Sequence, residues 1–422
     1  MNKKMMFALV SLMLVCAIAV NLSGCATPVQ AADLMEGVQA NKVTGKVADD
    51  KFVNSQMRLA VELFQASVNE SKDENVLISP LSIQLALAMT ANGAAGKTKA
   101  EMEALLGGDI KLKELNEYLY TYVNSLPSGE KCKIQIANSI WFRDNENRLQ
   151  VEQDFLQRNA DYYGAQAYKT PFDAQTLKDI NSWVEDHTDG MIDKILDRID
   201  DDAVMYLINA LVFDARWQNV YDKSAINKGT FTNINGEEVS VDMMHSEEMT
   251  YLQDAFATGF MKPYHDGKYS FAALLPNEGV DLYDYISGLT SEGLLEMLNN
   301  AQSGAVIATL PKFSYEYDLS MNDALKKLGM STAFDGKNAD FSKMAHSSRG
   351  NIYIGDVLHK TFIAVDELGT KAGAVTKVEM RDECALVTEW VVTLDRPFVY
   401  MIIDNETNLP FFIGTMLDVN EG

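Results

Sequence analysis

The 422-residue chain is poor in cysteine, histidine and proline, with four, five and nine of them. No CxxC or HExxH spacing occurs, which excludes the usual zinc frameworks. GxSxG is missing too, so the strand–turn–helix nucleophile of many serine hydrolases has no local support. So few prolines exclude a proline-rich, low-complexity chain. Basic residues are also scarce: 36 Lys and Arg stand against 60 Asp and Glu, a net charge of −24. An acidic surplus of that size repels phosphate backbones and argues against nucleic acid as a partner. Beyond the N-terminus no apolar run has the length of a bilayer-spanning helix. Apolar residues in general are plentiful, at 47% hydrophobic and 9% aromatic, which suits a large packed core.

The first residues read as an address. Met1-Asn2-Lys3-Lys4 precedes a run from Met5 to Val20 broken only by Ser11, a basic n-region followed by an apolar h-region. Leu22-Ser23-Gly24-Cys25 resembles a bacterial lipobox, whose cysteine accepts the acyl chains. Residues 1–24 are thus expected to be a lipoprotein signal peptide. The mature protein would be secreted and held by lipid at Cys25 on the outer face of a bacterial membrane. Cys16 leaves with the signal, so only Cys132 and Cys384 remain as thiols, too few for a disulfide framework. Small and polar residues without periodicity make 25–50 a flexible tether, and 51–422 reads as a single large domain.

Within that body helical periodicity comes first. Phe52, Leu59, Val61, Leu63 and Phe64 share one helix face, and Ser79-Pro80-Leu81 opens a second helix with proline in its first turn. Thr98-Lys99-Ala100-Glu101 has capping-box spacing for a third. Further helices are expected over 112–126, 153–163 and 177–187. Strand patterns crowd the later half. Val204–Phe213 is a nearly continuous apolar run suited to a strand buried on both faces, and Phe260–Tyr264 with Tyr269–Leu275 flank a hairpin turn. Leu358–Val365 reads as a strand, and Phe398–Ile403 with Phe411–Leu417 as a closing pair. Helices before strands indicate α+β architecture rather than a βαβ series. Ala91–Thr98 fits a relaxed phosphate-loop pattern, but a helix rather than a strand feeds it.

Glu367 to Leu394 lies between strands, yet is too long for an ordinary connection. Alternate residues from Thr370 read Thr370, Ala372, Ala374, Thr376, Val378 and Met380, small or apolar. The interleaved set, Lys371, Gly373, Val375, Lys377, Glu379 and Arg381, is mostly charged. This is the period-2 signature of a strand with one buried face, written into a segment placed as a loop. The residues themselves fit either an edge strand or a segment with two states, loop and inserted strand.

Glu367-Leu368-Gly369-Thr370-Lys371-Ala372-Gly373-Ala374-Val375-Thr376 resembles the hinge of the reactive-centre loop in serpins, the serine-protease-inhibitor superfamily. Asn75–Ile83, Leu207-Ile208-Asn209-Ala210 with Trp217, Leu310–Phe313, Asp340-Phe341-Ser342, Val357–Lys360 and Asp395–Phe398 resemble further segments of that family in the same order. The likeness runs from about Phe52 to Leu417. It implies a serpin fold of about nine helices around three β-sheets, with a large central sheet and an exposed reactive-centre loop at about 368–390. It implies no cofactor, no metal and no catalysis of the chain's own.

Its partner would be a serine or cysteine protease, which attacks the loop and forms an acyl-enzyme. The loop then enters the central sheet as an extra strand and carries the protease with it. The resemblance makes Gly369, Thr370, Ala372, Gly373, Ala374, Val375 and Thr376 the hinge. It places Ser79, Ser82, Asn209 and His359 in a polar shutter beneath the opening sheet, and Trp217, Lys312 and Glu367 at the breach above it. The usual spacing from Gly369 puts the reactive bond at Glu383-Cys384. The span to Pro397 is a few residues longer than in compact members, which keeps Arg381-Asp382 and Leu386-Val387 open. Lys371 stands where many inhibitory members carry glutamate, and Phe213–Arg216 departs from a Lys-Gly pair common before the breach tryptophan. A monomer is expected. The alternative is a non-inhibitory serpin that serves as a binding or structural protein.

Overall fold

Nine helices and three sheets are present among the described residues of the computed structural model, 30–144, 148–201, 203–265, 267–348, 350–370 and 388–420. In chain order the helices are α1 (Asp50–Glu70), α2 (Pro80–Ala91), α3 (Gly96–Gly107), α4 (Leu112–Asn124), α5 (Gln153–Tyr163), α6 (Ala174–His187), α7 (Leu282–Gly288), α8 (Ser291–Asn299) and α9 (Asn322–Lys327).

Strands are likewise numbered along the chain. The central sheet takes β1 (Ala32–Asp33), β3 (Ser128–Gly129), β4 (Cys132–Arg143), β6 (Gln166–Thr170), β7 (Met205–Arg216), β13 (Phe313–Ser320), β15 (Asp356–Val365) and β16 (Gly369–Thr370). Its order is β1-β6-β4-β7-β16-β15-β13, with β3 beside β4. A second sheet contains β2 (Leu77–Ile78), β8 (Ile226–Thr232), β9 (Glu238–Gln253), β10 (Ala257–Pro263), β11 (Tyr269–Pro276), β12 (Gln302–Pro311), β17 (Thr388–Thr393), β18 (Phe398–Asp404) and β19 (Pro410–Met416). The third pairs β5 (Leu149–Val151) with β14 (Ala345–Ser347).

Apolar pattern explains the placement. β7 is buried over most of its length because both sheet faces are covered. The larger core packs α1–α4 and the second sheet against one face, through Phe64, Leu85, Leu211, Phe213 and Ile363. On the other face Ile180 and Trp183 of α6 pack with Trp141, Tyr206 and Ile208. A capping box at Asp173 starts α6, so that helix begins three residues before the apolar periodicity does. α2 is predominantly apolar and buried at every position, its polar Ser82, Gln84 and Thr90 included, with Pro80 at its start.

Two expectations fail. Thr98 does not cap α3, which starts at Gly96 behind Ala95 with no side-chain cap. The Thr98 hydroxyl instead accepts the Asp340 N–H at 2.9 Å, because α3 packs against that loop. The second failure is the flexible tether. From Gln30 onward the segment lies against the body. β1 adds a strand to the free edge of β6, Gln30 N–H donates to Asp179 at 3.1 Å, and Lys46 pairs with Glu114 at 2.5 Å. A composition that looks uncommitted is held by backbone groups of an unfilled sheet edge. The glycine-rich turn before α3 has its N–H groups spent: Gly93 and Ala94 donate to Thr90 and Ala91, and Ala95 donates to Asp340. Residues 1–29, which carry the signal and Cys25, fall outside the described residues. So do 371–387, with Ala372, Gly373, Ala374, Val375, Thr376, Glu383 and Cys384.

Candidate functional site

β7 and β15 run parallel and pair directly over four residues, Tyr206–Asn209 with Asp356–His359. Above that point they part. β16 stands between their upper ends, antiparallel to both, with Gly369 opposite Arg216 and Thr370 opposite Ala215 and Val365. Between Ala210–Asp214 and Lys360–Ala364 no ladder joins the two strands among the described residues. Among the described residues, the central sheet therefore contains a seam closed below, wedged above and without a ladder between.

The wedge is the end of a tight turn. Asp366 Oδ1 accepts the N–H groups of Leu368 and Gly369 at 2.7 and 3.1 Å, an Asx-type reversal that sends the chain back down beside β15. Gly369 fits because it has no side chain: a Cβ there would lie 2.1 Å from the Ala215 carbonyl oxygen. Thr370 is buried, and its Oγ1 lies 2.5 Å from the Tyr264 hydroxyl.

Trp217, Lys312 and Glu367 come together at the top of this seam. Trp217 Nε1 donates to the Asp366 carbonyl at 2.8 Å, its backbone N–H donates to Leu368 at 2.9 Å, and Tyr221 N–H donates to Glu367 at 3.0 Å. Three successive carbonyls of the turn are thus held from one segment. Lys312 Nζ sits 2.5 Å from Glu367 Oε2 and holds that carboxyl below its ordinary range. Both partners are only half-buried, so the pair contributes about 0–1 kcal/mol.

Ser79, Ser82, Asn209 and His359 all lie beneath the seam and are buried. They form two separate pairings instead of one network. Ser79 N–H donates to His359 Nε2 at 3.0 Å, which makes Nε2 the unprotonated ring nitrogen. The Ser79 hydroxyl is already committed: it caps α2 by accepting the Ser82 N–H at 3.3 Å. Asn209 donates across the sheet to Asn138 Oδ1. Among the described residues, Ser82 Oγ and Asn209 Oδ1 are buried without a hydrogen-bond partner. Burial pushes the His359 pKa down to about 3.

Sequence reasoning missed Tyr264, Tyr221, Asn138 and a buried ion pair. Lys262 Nζ lies 2.6 Å from Glu248 Oε1, and the two side chains are 2% and 5% exposed. The ammonium also sits over the rings of Tyr221 and Trp217, at 4.2 and 5.5 Å. A signal was present: Lys262 shares the inward alternation of Phe260 and Tyr264 and interrupts an aromatic set.

Comparison with known proteins agrees with this arrangement. The sequence profile of the family described as serpin (serine protease inhibitor) matches residues 54–419. An uncharacterised serpin-like protein of Thermococcus kodakarensis is 31% identical over 363 residues, which cover 83% of this chain and 82% of that protein. Human serpin B8 is 31% identical over 379 residues, covering 86% and 98%. Among solved structures, tengpin, a thermophilic serpin, matches in its native state with a TM-score of 0.89 and 51% identity, over 92% of this chain and all of that one. In its latent state tengpin matches with a TM-score of 0.80 and 50% identity, over 89% and all of the two chains. By profile, relatives and fold alike, this chain belongs to the serpin family.

Proposed function

We propose that the protein is a suicide inhibitor of serine or cysteine proteases, and that the partly wedged seam is the track its loop follows. The carrying observation is β16: two residues of the loop root already stand between β7 and β15, in the direction a full inserted strand would run. Continued in that register, Ala372 would fall between Phe213 and Ile363, and Ala374 between Leu211 and Thr361. Thr376 would then reach Asn209 and His359, where the direct β7–β15 pairing starts. The even-numbered residues would face the larger core, as Thr370 does, and their small size suits entry between packed strands.

In the proposed reaction the protease nucleophile attacks the carbonyl carbon of Glu383. The bond to the Cys384 nitrogen breaks, the new amine leaves with a proton, and the protease stays joined as an acyl-enzyme. The freed loop then zips into the seam, and its new backbone ladders draw the acylated protease away from the geometry that water attack requires.

Incubating the protein with a protease panel should give an SDS-stable complex with at least one member. Mass spectrometry of the released fragment then places the bond at Glu383-Cys384, Arg381-Asp382 or Leu386-Val387. Simple cleavage by every protease, with no complex, overturns the inhibitor reading. We also propose lipid attachment at Cys25, which rests on the lipobox-like Leu22–Cys25. Fatty-acid labelling that persists in Cys25→Ser would refute it.

A further inference from the structure

Tyr264 joins Thr370 of β16 to the aromatic cluster around Trp217. Its ring is fully buried, stacked on Trp217 at 4.6 Å with an 11° interplanar angle and set edge-on to Phe213 at 4.9 Å. Its backbone N–H donates to Tyr269 across the β10–β11 turn at 2.9 Å, and the neighbouring His265 N–H donates to Arg216 at 2.8 Å. The Trp217 ring lies over the ammonium of the buried Lys262–Glu248 pair. With ring and backbone both fixed, the phenol oxygen has one position, 2.5 Å from Thr370 Oγ1. Thr370 itself has a ladder partner on each side, and Gly369 and Thr370 are the residues of β16 among the described residues. Besides those backbone pairs, the side chain of Thr370 is held by its hydroxyl contact with Tyr264.

We infer that Tyr264 is a positioning residue whose hydroxyl latches Thr370 in the sheet and so sets how often the loop root leaves the seam. Either hydroxyl can donate, and burial keeps the phenol protonated, so the contact persists across the neutral range. Breaking it would leave one buried hydroxyl without a partner. The root would leave more often, and insertion after cleavage would have to begin from an empty seam. This second consequence rests on the inhibitor reading; the latch itself does not.

Hydrogen exchange on the full chain tests the latch without any protease. Tyr264→Phe keeps the stacked ring and removes only the oxygen. It should speed exchange of the peptide spanning Asp366–Thr370 roughly fivefold to tenfold, the effect of one buried hydrogen bond. Thr370→Val should match it, Thr370→Ser should stay at the wild-type rate, and the Tyr264→Phe/Thr370→Val pair should be no faster than either single variant. Unchanged exchange in Tyr264→Phe, or effects that multiply in the double variant, would overturn the latch. With any protease the wild type traps, Tyr264→Phe should also raise the number of inhibitor molecules consumed per complex formed. Faster exchange with an unchanged number would refute the coupling to insertion. A wild type that traps nothing would overturn the inhibitor reading, while the exchange result would still decide the latch.

Discussion

A β-carbon at residue 369 would come within 2.1 Å of the Ala215 carbonyl oxygen and 2.8 Å of Arg216 Cα, backbone atoms that cannot step aside. Glycine is required there by close approach. Gly369→Val should hold the loop root out of the seam and turn trapping into plain cleavage. The measurement is the ratio of SDS-stable complex to cleaved chain, and an unchanged ratio contradicts the wedge as the start of insertion. At the other end of the seam His359 acts through protons. Its imidazole is neutral in the fold, with a pKa near 3 against about 6.5 in the unfolded chain. The unfolded chain binds this proton at higher pH, so the stability it confers is present above about pH 6.5 and declines as pH falls towards 3. The full difference is worth roughly 5 kcal/mol. His359→Gln should flatten the stability profile between pH 6.5 and 5, above the range where ordinary carboxylates titrate, as read from urea unfolding at each pH.

Elements differ in how openly the sequence declares them. β7 announces itself as a long apolar run, and β10–β11 and β18–β19 by patterned strands around polar turns. The sixteen-residue β9 does not, because its alternation is broken where Met243 and Met244 are both buried and where Glu248 is buried beside an exposed Met249. β1 is two residues long, below any period that a pattern can show, and pairs with the free edge of β6. Trp217, Lys312 and Glu367 come together at the top of the seam, whereas Tyr264 and Lys262 owe their importance to partners far away in sequence. Lys262 joins β10 to Glu248 of β9 inside the core. Lys262→Met leaves a buried carboxylate unpaired and should destabilise the protein by about 3–5 kcal/mol. Lys262→Met with Glu248→Met should recover most of that loss in chemical denaturation, since two apolar side chains need no partner. Equal losses in the single and double variants would mean that the pair's value lies in its packing alone.

Across the whole molecule, the stretch between Ala210–Asp214 and Lys360–Ala364, which no ladder joins among the described residues, would be stability held in reserve under the proposed mechanism. Cutting the loop without trapping a protease should let a strand fill it, with new hydrogen bonds on both sides at about 0.5–1.5 kcal/mol each. The melting temperature should then rise by roughly 10 °C or more. Calorimetry before and after cleavage at Glu383-Cys384 or its neighbours tests this, and an unchanged melt would point to a loop that stays outside the sheet. The direction of β16 carries one further consequence. β7 and β15 are parallel neighbours where they touch, but an entering strand is antiparallel to both. Each step past Asn209 and His359 would exchange one slanted parallel contact for two straighter antiparallel ones, which hold slightly better per residue. Backward steps would forfeit two ladders to regain one, so under the proposed mechanism the seam would behave as a ratchet.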